Sequence, residues 1–107
     1  MSLVTTHILD TVAGTPASGV VVILSDAAGE QIARGTTDSD GRVNELGPEQ
    51  LQPGSYRLSF RTGEYFRARG LPTFFPEVQI TFETGAEPHY HVPLLISPYA
   101  YSTYRGS

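Results

Sequence analysis

A chain of 107 residues and 11.6 kDa is the size of one domain, and the absence of cysteine removes disulfides, thiolate metal sites and cysteine nucleophiles. A formal charge of -4 with 17% charged residues argues against a protein that binds nucleic acid by neutralising phosphates, and because all seven basic residues are arginine, Schiff-base chemistry on a lysine is excluded. Folding at this size hides roughly 65% of the unfolded chain's surface, enough for a core without staples. No apolar run approaches the roughly 20 residues of a membrane-spanning helix. Met1–Asp10 lacks a basic start followed by an apolar block, so no cleaved signal is expected.

Period-two patterning and turn residues divide the chain into short extended segments. The first strand is predicted over Leu3–Leu9, with Thr6 and Ile8 inward and His7 and Leu9 outward, because strand neighbours point to opposite sides. Gly14–Gly19 reads as a loop, followed by strands over Val20–Ser25 and Gln31–Thr37 joined at the Ala28-Gly29 turn. Asp40-Gly41 gives another tight turn, after which Arg42–Leu46 is extended. Pro53-Gly54 leads into a strand over Ser55–Thr62. Only Gly63–Arg69 (GEYFRAR) looks helical, and Gly70 with Pro72 ends it. Strands over Glu77–Thr84, His89–Ser97 and Tyr99–Arg105 follow. About eight short strands with one short helix predict an all-β, antiparallel β-sandwich forming a single domain over 1–107.

Alternation also sorts the late strands. Tyr90, Val92, Leu94 and Ile96 share an apolar face suited to the core, whereas His89, His91, Pro93, Leu95 and Ser97 share the other. Ser102 and Tyr104 fall on one side of the last strand, Tyr101 and Thr103 on the opposite one. An outward face that mixes His with Pro and Leu is not typical solvated surface and points to a partly covered groove between subunits.

Several residues in this pattern can carry chemistry, and each has a plainer reading. The segment Gly35–Arg42 (GTTDSDGR) resembles a calcium loop, but in a loop starting at Asp38, Arg42 and Val43 stand where an oxygen ligand and a glycine belong, so Asp38–Gly41 reads as a hairpin turn. His89 and His91 form an H-x-H pair about 7 Å apart on one strand face; they are a surface pair, or with His7 a three-histidine zinc set with an open position for water. His7 and His91 without metal can take and return a proton near neutrality. Arg42 is either an exposed arginine in a weak ion pair or a fork for a carbonyl-rich ligand. The tail Tyr104–Ser107 is expected to fray as tails do. No G-x-S-x-G elbow, P-loop or dinucleotide fingerprint is present.

The two ends of the chain narrow these alternatives. His7–Asp10 (HILD) followed by Gly14-Thr15-Pro16-Ala17 resembles the opening of the transthyretin-related family. His89–Ser107 (HYHVPLLISPYAYSTYRGS) looks very like that family's enzymatic branch, which hydrolyses 5-hydroxyisourate, and the terminal YRGS is that branch's signature. Arg42 falls where the branch carries an arginine, and the likeness runs from about His7 to Ser107, through the YFRARG helix and the Pro76-Glu77 strand start. The hormone-carrying transthyretins replace the two histidines, the arginine and the tail, so at its site this chain resembles the enzymes rather than the carriers.

The resemblance implies a transthyretin-like (prealbumin-like) sandwich assembled as a homotetramer, a dimer of dimers with a channel between the dimers. It places His7, Arg42 and His91 in the catalytic set. Tyr104, Arg105 and Ser107 would join them in binding substrate, and Leu9, Pro93, Leu95 and Ser102 would line the channel. His89 stays outside the catalytic set. The expected substrate is a small molecule, with no cofactor, metal, nucleic acid or membrane, and a cytoplasmic location is the default.

Overall fold

Alternation of inward and outward side chains is what the fold is built on, and a computed structural model describing residues 2–107 shows how the strands use it. In chain order the elements are β1 (Val4–Asp10), β2 (Thr15–Pro16), β3 (Val21–Asp26), β4 (Gln31–Thr36), β5 (Arg42–Val43), β6 (Gly54–Phe60), α1 (Thr62–Arg67), β7 (Val78–Thr84), β8 (Tyr90–Ser97) and β9 (Ala100–Thr103). One sheet runs β2-β1-β8-β9 with β5 also on β1; the other runs β4-β3-β6-β7. Ile8, Leu94 and Ile96 from the first sheet and Leu24, Leu58 and Phe60 from the second are fully buried and share one core. That is the expected β-sandwich. Of the single domain expected over 1–107, Met1 lies outside the described residues. No helix among the described residues is long and apolar enough to cross a membrane.

The ladders differ from the sequence expectation in three ways, each with a cause. First, the sandwich is not wholly antiparallel: β1 and β8 run parallel, from Val4 opposite Tyr90 to Asp10 opposite Ile96. Parallel neighbours need a long crossover, and the excursion of β3, β4, β6 and β7 through the second sheet supplies it. Second, the described residues form nine strands against the about eight expected, because two very short ones divide a single edge of β1. There β2 pairs with Leu9 and Asp10, while β5 pairs with Thr6 and His7. Between them Ile8 donates its N–H to the Gly41 carbonyl (2.7 Å) and accepts from Ala17 N–H (2.9 Å). Sharing that edge confines the expected Arg42–Leu46 strand to Arg42–Val43.

Third, the last strand ends at Thr103 instead of Arg105. Its register on β8 reaches Leu94 opposite Thr103, and the next residue of β8 is Pro93, which has no N–H to give. The Thr103 hydroxyl donates to the Pro93 carbonyl instead (2.7 Å). The same register then resumes, with Gly106 opposite His91 and its N–H donated to the His91 carbonyl at 2.9 Å. The tail expected to fray is therefore tied down.

Helix α1 closes one side of the core with Tyr65 and Phe66 and is locked to the end of β1. The Tyr65 hydroxyl donates to Asp10 Oδ2 (2.8 Å), while Asp10 Oδ1 accepts the N–H groups of Val12 and Ala13, both at 3.0 Å. The Arg69 guanidinium lies 3.7 Å from the Tyr65 ring centroid. Burial, then the hydrogen bond to Asp10 and its negative charge, push the Tyr65 phenol up to about 12. Among the described residues no buried side-chain N or O lacks a hydrogen-bond partner. Tyr65→Phe breaks that rule by stripping Asp10 Oδ2, and denaturant melts should show a loss of about 1–3 kcal/mol with an unchanged m-value.

Candidate active site

The outer face of the β1–β8 sheet gathers the chemistry-bearing residues. In β1, His7 and Leu9 are half-buried on this face, while Thr6, Ile8 and Asp10 are buried. His7 has Arg42 as its cross-strand partner on β5 and Pro93 as its neighbour on β8. The turn before β5 fixes where the arginine enters. Asp38 Oδ1 accepts the N–H groups of Asp40 (2.9 Å) and Arg42 (3.0 Å), and Asp38 N–H is donated to the Arg42 carbonyl (3.0 Å). The carboxylate that superficially suggested a calcium loop is thus spent on backbone. Gly41, at φ +73°, has its Cα so close to the Ile8 carbonyl that a Cβ would collide with it. The conformation and the close approach both require glycine.

His91 reaches the same face from β8. Its backbone neighbour on β1 is Thr5, whose hydroxyl lies 2.8 Å from His91 Nδ1 and 2.9 Å from His89 Nε2. The opposite edge of the imidazole rests on the tail: a Cβ built on Gly106 would lie 2.5 Å from His91 Cδ2. Only a glycine lets the tail lie this flat on the ring. Partial burial, followed by the charges of Arg42, His89 and His7, holds the His91 imidazole below the ordinary histidine value. His7 and Arg42 face each other across β1 and β5, and His91 stands on the neighbouring strand opposite Thr5, two register positions from His7. Thr5 was not anticipated from the sequence. A threonine in an alternating strand carries no signal of its own until its neighbour is known.

Leu95 is half-buried on the outer face, with exposed Ser102 opposite it on β9. Pro93, expected on the channel wall, is buried, its Cγ close against Gly106 of the tail. Tyr104 and Ser107 are exposed. Arg105 turns the other way, its guanidinium 5.4 Å from the ring centroid of the inward-facing Tyr90. With Ile80, Phe82, Tyr90, His91 and Tyr104 it lines a cavity of about 340 Å³ at the open edge between the sheets. His7 and Arg42 do not line that cavity. Among the described residues no group of three or more His, Asp or Glu side chains is arranged to hold a metal ion.

With this geometry in hand, comparison with known proteins is informative. A model of the HIUase/transthyretin family matches residues 4–106. The chain belongs to that family. A 5-hydroxyisourate hydrolase from Caulobacter vibrioides is 50% identical over 115 residues, covering 100% of both chains. The solved structure of Klebsiella pneumoniae 5-hydroxyisourate hydrolase superposes with a TM-score of 0.92 at 43% identity, covering 99% of this chain and 100% of that one. Sea bream transthyretin in complex with thyroxine superposes almost as well, with a TM-score of 0.90 at 36% identity, covering 97% of this chain and 94% of that one. Within the family, then, the backbone alone does not separate a hydrolase from a transthyretin.

The placement of Arg42 depends on the turn before it. Gly41→Ala puts a side chain into a left-handed conformation and against the Ile8 carbonyl. A loss of about 2 kcal/mol or more is expected in chemical denaturation.

Proposed function

We propose that this chain is a 5-hydroxyisourate hydrolase, opening the cyclic amide of that substrate to give 2-oxo-4-hydroxy-4-carboxy-5-ureidoimidazoline. The chain is an enzyme of the hydrolase type rather than a carrier, and full-length identity of 50% to a protein of that name supports the assignment. The observation that carries the reading is the pairing of His7 with Arg42 across β1 and β5, with His91 on the neighbouring strand two register positions away.

In this mechanism His91 and His7 orient a water molecule and take its proton as it attacks the amide carbonyl. One of the two imidazoles then returns a proton to the leaving nitrogen. Arg42 binds the substrate's carbonyl edge and stabilises the negative charge that grows on oxygen in the tetrahedral intermediate, a contribution of several kcal/mol in a dry site. Dryness comes from assembly. Four chains form a dimer of dimers in which Leu9, Leu95 and Ser102 wall the channel over the outer face, with Pro93 beneath the tail. Tyr104 and Ser107 of the tail close the pocket and donate hydrogen bonds to substrate, whereas Arg105, turned onto Tyr90, is left out of it. The lowered proton affinity of His91 suits a base, because the imidazole stays neutral at neutral pH.

The direct test is the spectral decay of freshly generated 5-hydroxyisourate. With this protein the decay should accelerate in proportion to enzyme and persist after exhaustive chelation; decay at the spontaneous rate would leave only a small-ligand carrier, and loss on chelation a metal-dependent hydrolase. His91→Ala and Arg42→Glu should each lower kcat/KM by about 100-fold or more while size-exclusion chromatography shows an unchanged assembly.

The pH dependence follows from the direction of the His91 shift. Protonation removes the base, and its affinity for that proton is reduced by burial and by Arg42, His89 and His7. The acid limb of kcat/KM should therefore lie below the ordinary imidazole value of about 6.5. Replacing Arg42 with Gln removes one repelling charge, so an NMR titration of the His91 ring should move upward towards that value.

A further inference from the structure

One buried polar group on the outer face has no task in the reaction as described. Thr5 is buried, sits opposite His91 in the parallel ladder, and places its single hydroxyl between Nδ1 of His91 (2.8 Å) and Nε2 of His89 (2.9 Å). The two imidazoles lie on the same side of the chain, with ring centroids 6.3 Å apart and planes inclined by 21°, so one oxygen serves both.

A hydroxyl has one proton to give and lone pairs to accept with, so it donates to one ring and accepts from the other. With both rings neutral there are two arrangements. In the first, His89 donates to Thr5 and Thr5 donates to His91 Nδ1; His91 then carries its own proton on Nε2, and the edge a base would use is blocked. In the second, His91 Nδ1–H donates to Thr5 and Thr5 donates to His89 Nε2, which leaves His91 Nε2 bare. Only the second lets His91 gain and lose a proton at Nε2 with every other hydrogen bond in place. In the first, the incoming proton has to enter at Nδ1, where the threonine O–H already points.

We propose that Thr5 is a positioning residue: through the hydrogen-bonded chain His91–Thr5–His89 it holds His91 in the tautomer protonated at Nδ1 and open at Nε2. His89 is the terminal acceptor of that chain. Gly106 completes the clamp from the other edge, since its backbone against Cδ2 holds the ring with Nδ1 towards Thr5. The proposal rests on His91 acting as the proton acceptor in the hydrolysis described above, and it gives His89 a role at one remove from the substrate.

The experiment uses full-length protein with 15N-labelled histidine, long-range proton–nitrogen NMR above the pH at which the rings titrate, and the 5-hydroxyisourate decay assay on the same samples. Wild type should show His91 protonated at Nδ1. Thr5→Val, which keeps the shape and deletes the hydroxyl, should shift His91 towards the Nε2–H form and lower kcat by about tenfold or more, as expected when an imidazole is held in the wrong tautomer. KM should change by less than about twofold, because no contact to substrate is removed. Thr5→Ser should restore both the tautomer and the rate. His89→Ala reports independently should Thr5→Val fold poorly: with the terminal acceptor gone, Thr5 turns its proton to His91 and the same tautomer shift is expected.

A wild-type His91 protonated at Nε2 overturns the proposal, as does a Thr5→Val enzyme with an unaltered tautomer or rate. A wild type with the stated tautomer that fails to accelerate 5-hydroxyisourate decay supports the hydrogen-bonded chain and removes the proposed function instead.

Discussion

The parallel ladder between β1 and β8 is the constraint on which the rest of the molecule depends. It joins two strands separated by most of the chain, with Val4 opposite Tyr90 and Asp10 opposite Ile96. Neighbours in such a ladder point to the same side, so a single register places Thr5 with His91 and His7 with Pro93 on the outer face. That register also turns Thr6, Ile8, Val92 and Leu94 into the core. A slip of β1 by one residue would exchange its two sets, exposing Thr6 and Ile8 and turning His7 into the core. Core burial and site assembly are therefore one event.

Onto this frame the β5 corner and the tail are attached by contacts that tolerate no side chain. Gly41 lies against the Ile8 carbonyl and Gly106 against the His91 ring. In both places the absence of Cβ brings backbone where a longer residue would stand off: at Gly41 it sets where Arg42 enters β5, and at Gly106 it lays the tail on the His91 ring. The same closeness has an electrostatic consequence. Partial burial, and then Arg42, His89 and His7, disfavour a positive charge on His91 and lower its affinity for a proton.

Much of this arrangement is legible from the amino-acid sequence, and the limits are physical. Alternation assigns His7, Leu9, His91 and Leu95 to the outer face because a strand offers a side chain only two directions. It also places Ser102 and Tyr104 on that side of β9 and Thr103 on the other, in line with the observed register. What alternation lacks is any statement of which strand lies beside which. The parallel pairing of β1 with β8, the division of one β1 edge between β2 and β5, and the partnership of Thr5 with two histidines all follow from adjacency. They are invisible in a pattern of period two. Pro93 shows the same limit: it faces outward as expected but is covered by a tail whose return across β8 no local signal announces.

Separation of the two faces also accounts for a family whose members share a backbone without sharing a task. Inward residues set the sheet spacing and twist, since they fill the volume between the layers and any change in their size is felt by packed neighbours. Outward residues on β1, β5 and β8 make few demands on that volume, so exchanging an imidazole or a guanidinium there leaves the ladders as they are. The demand on the tail is stricter than the demand on the sheet: an outward position of a strand accepts many side chains, whereas the contact at Gly106 accepts none. The tail glycine, more than the sandwich beneath it, is where this fold becomes committed to holding an imidazole in place.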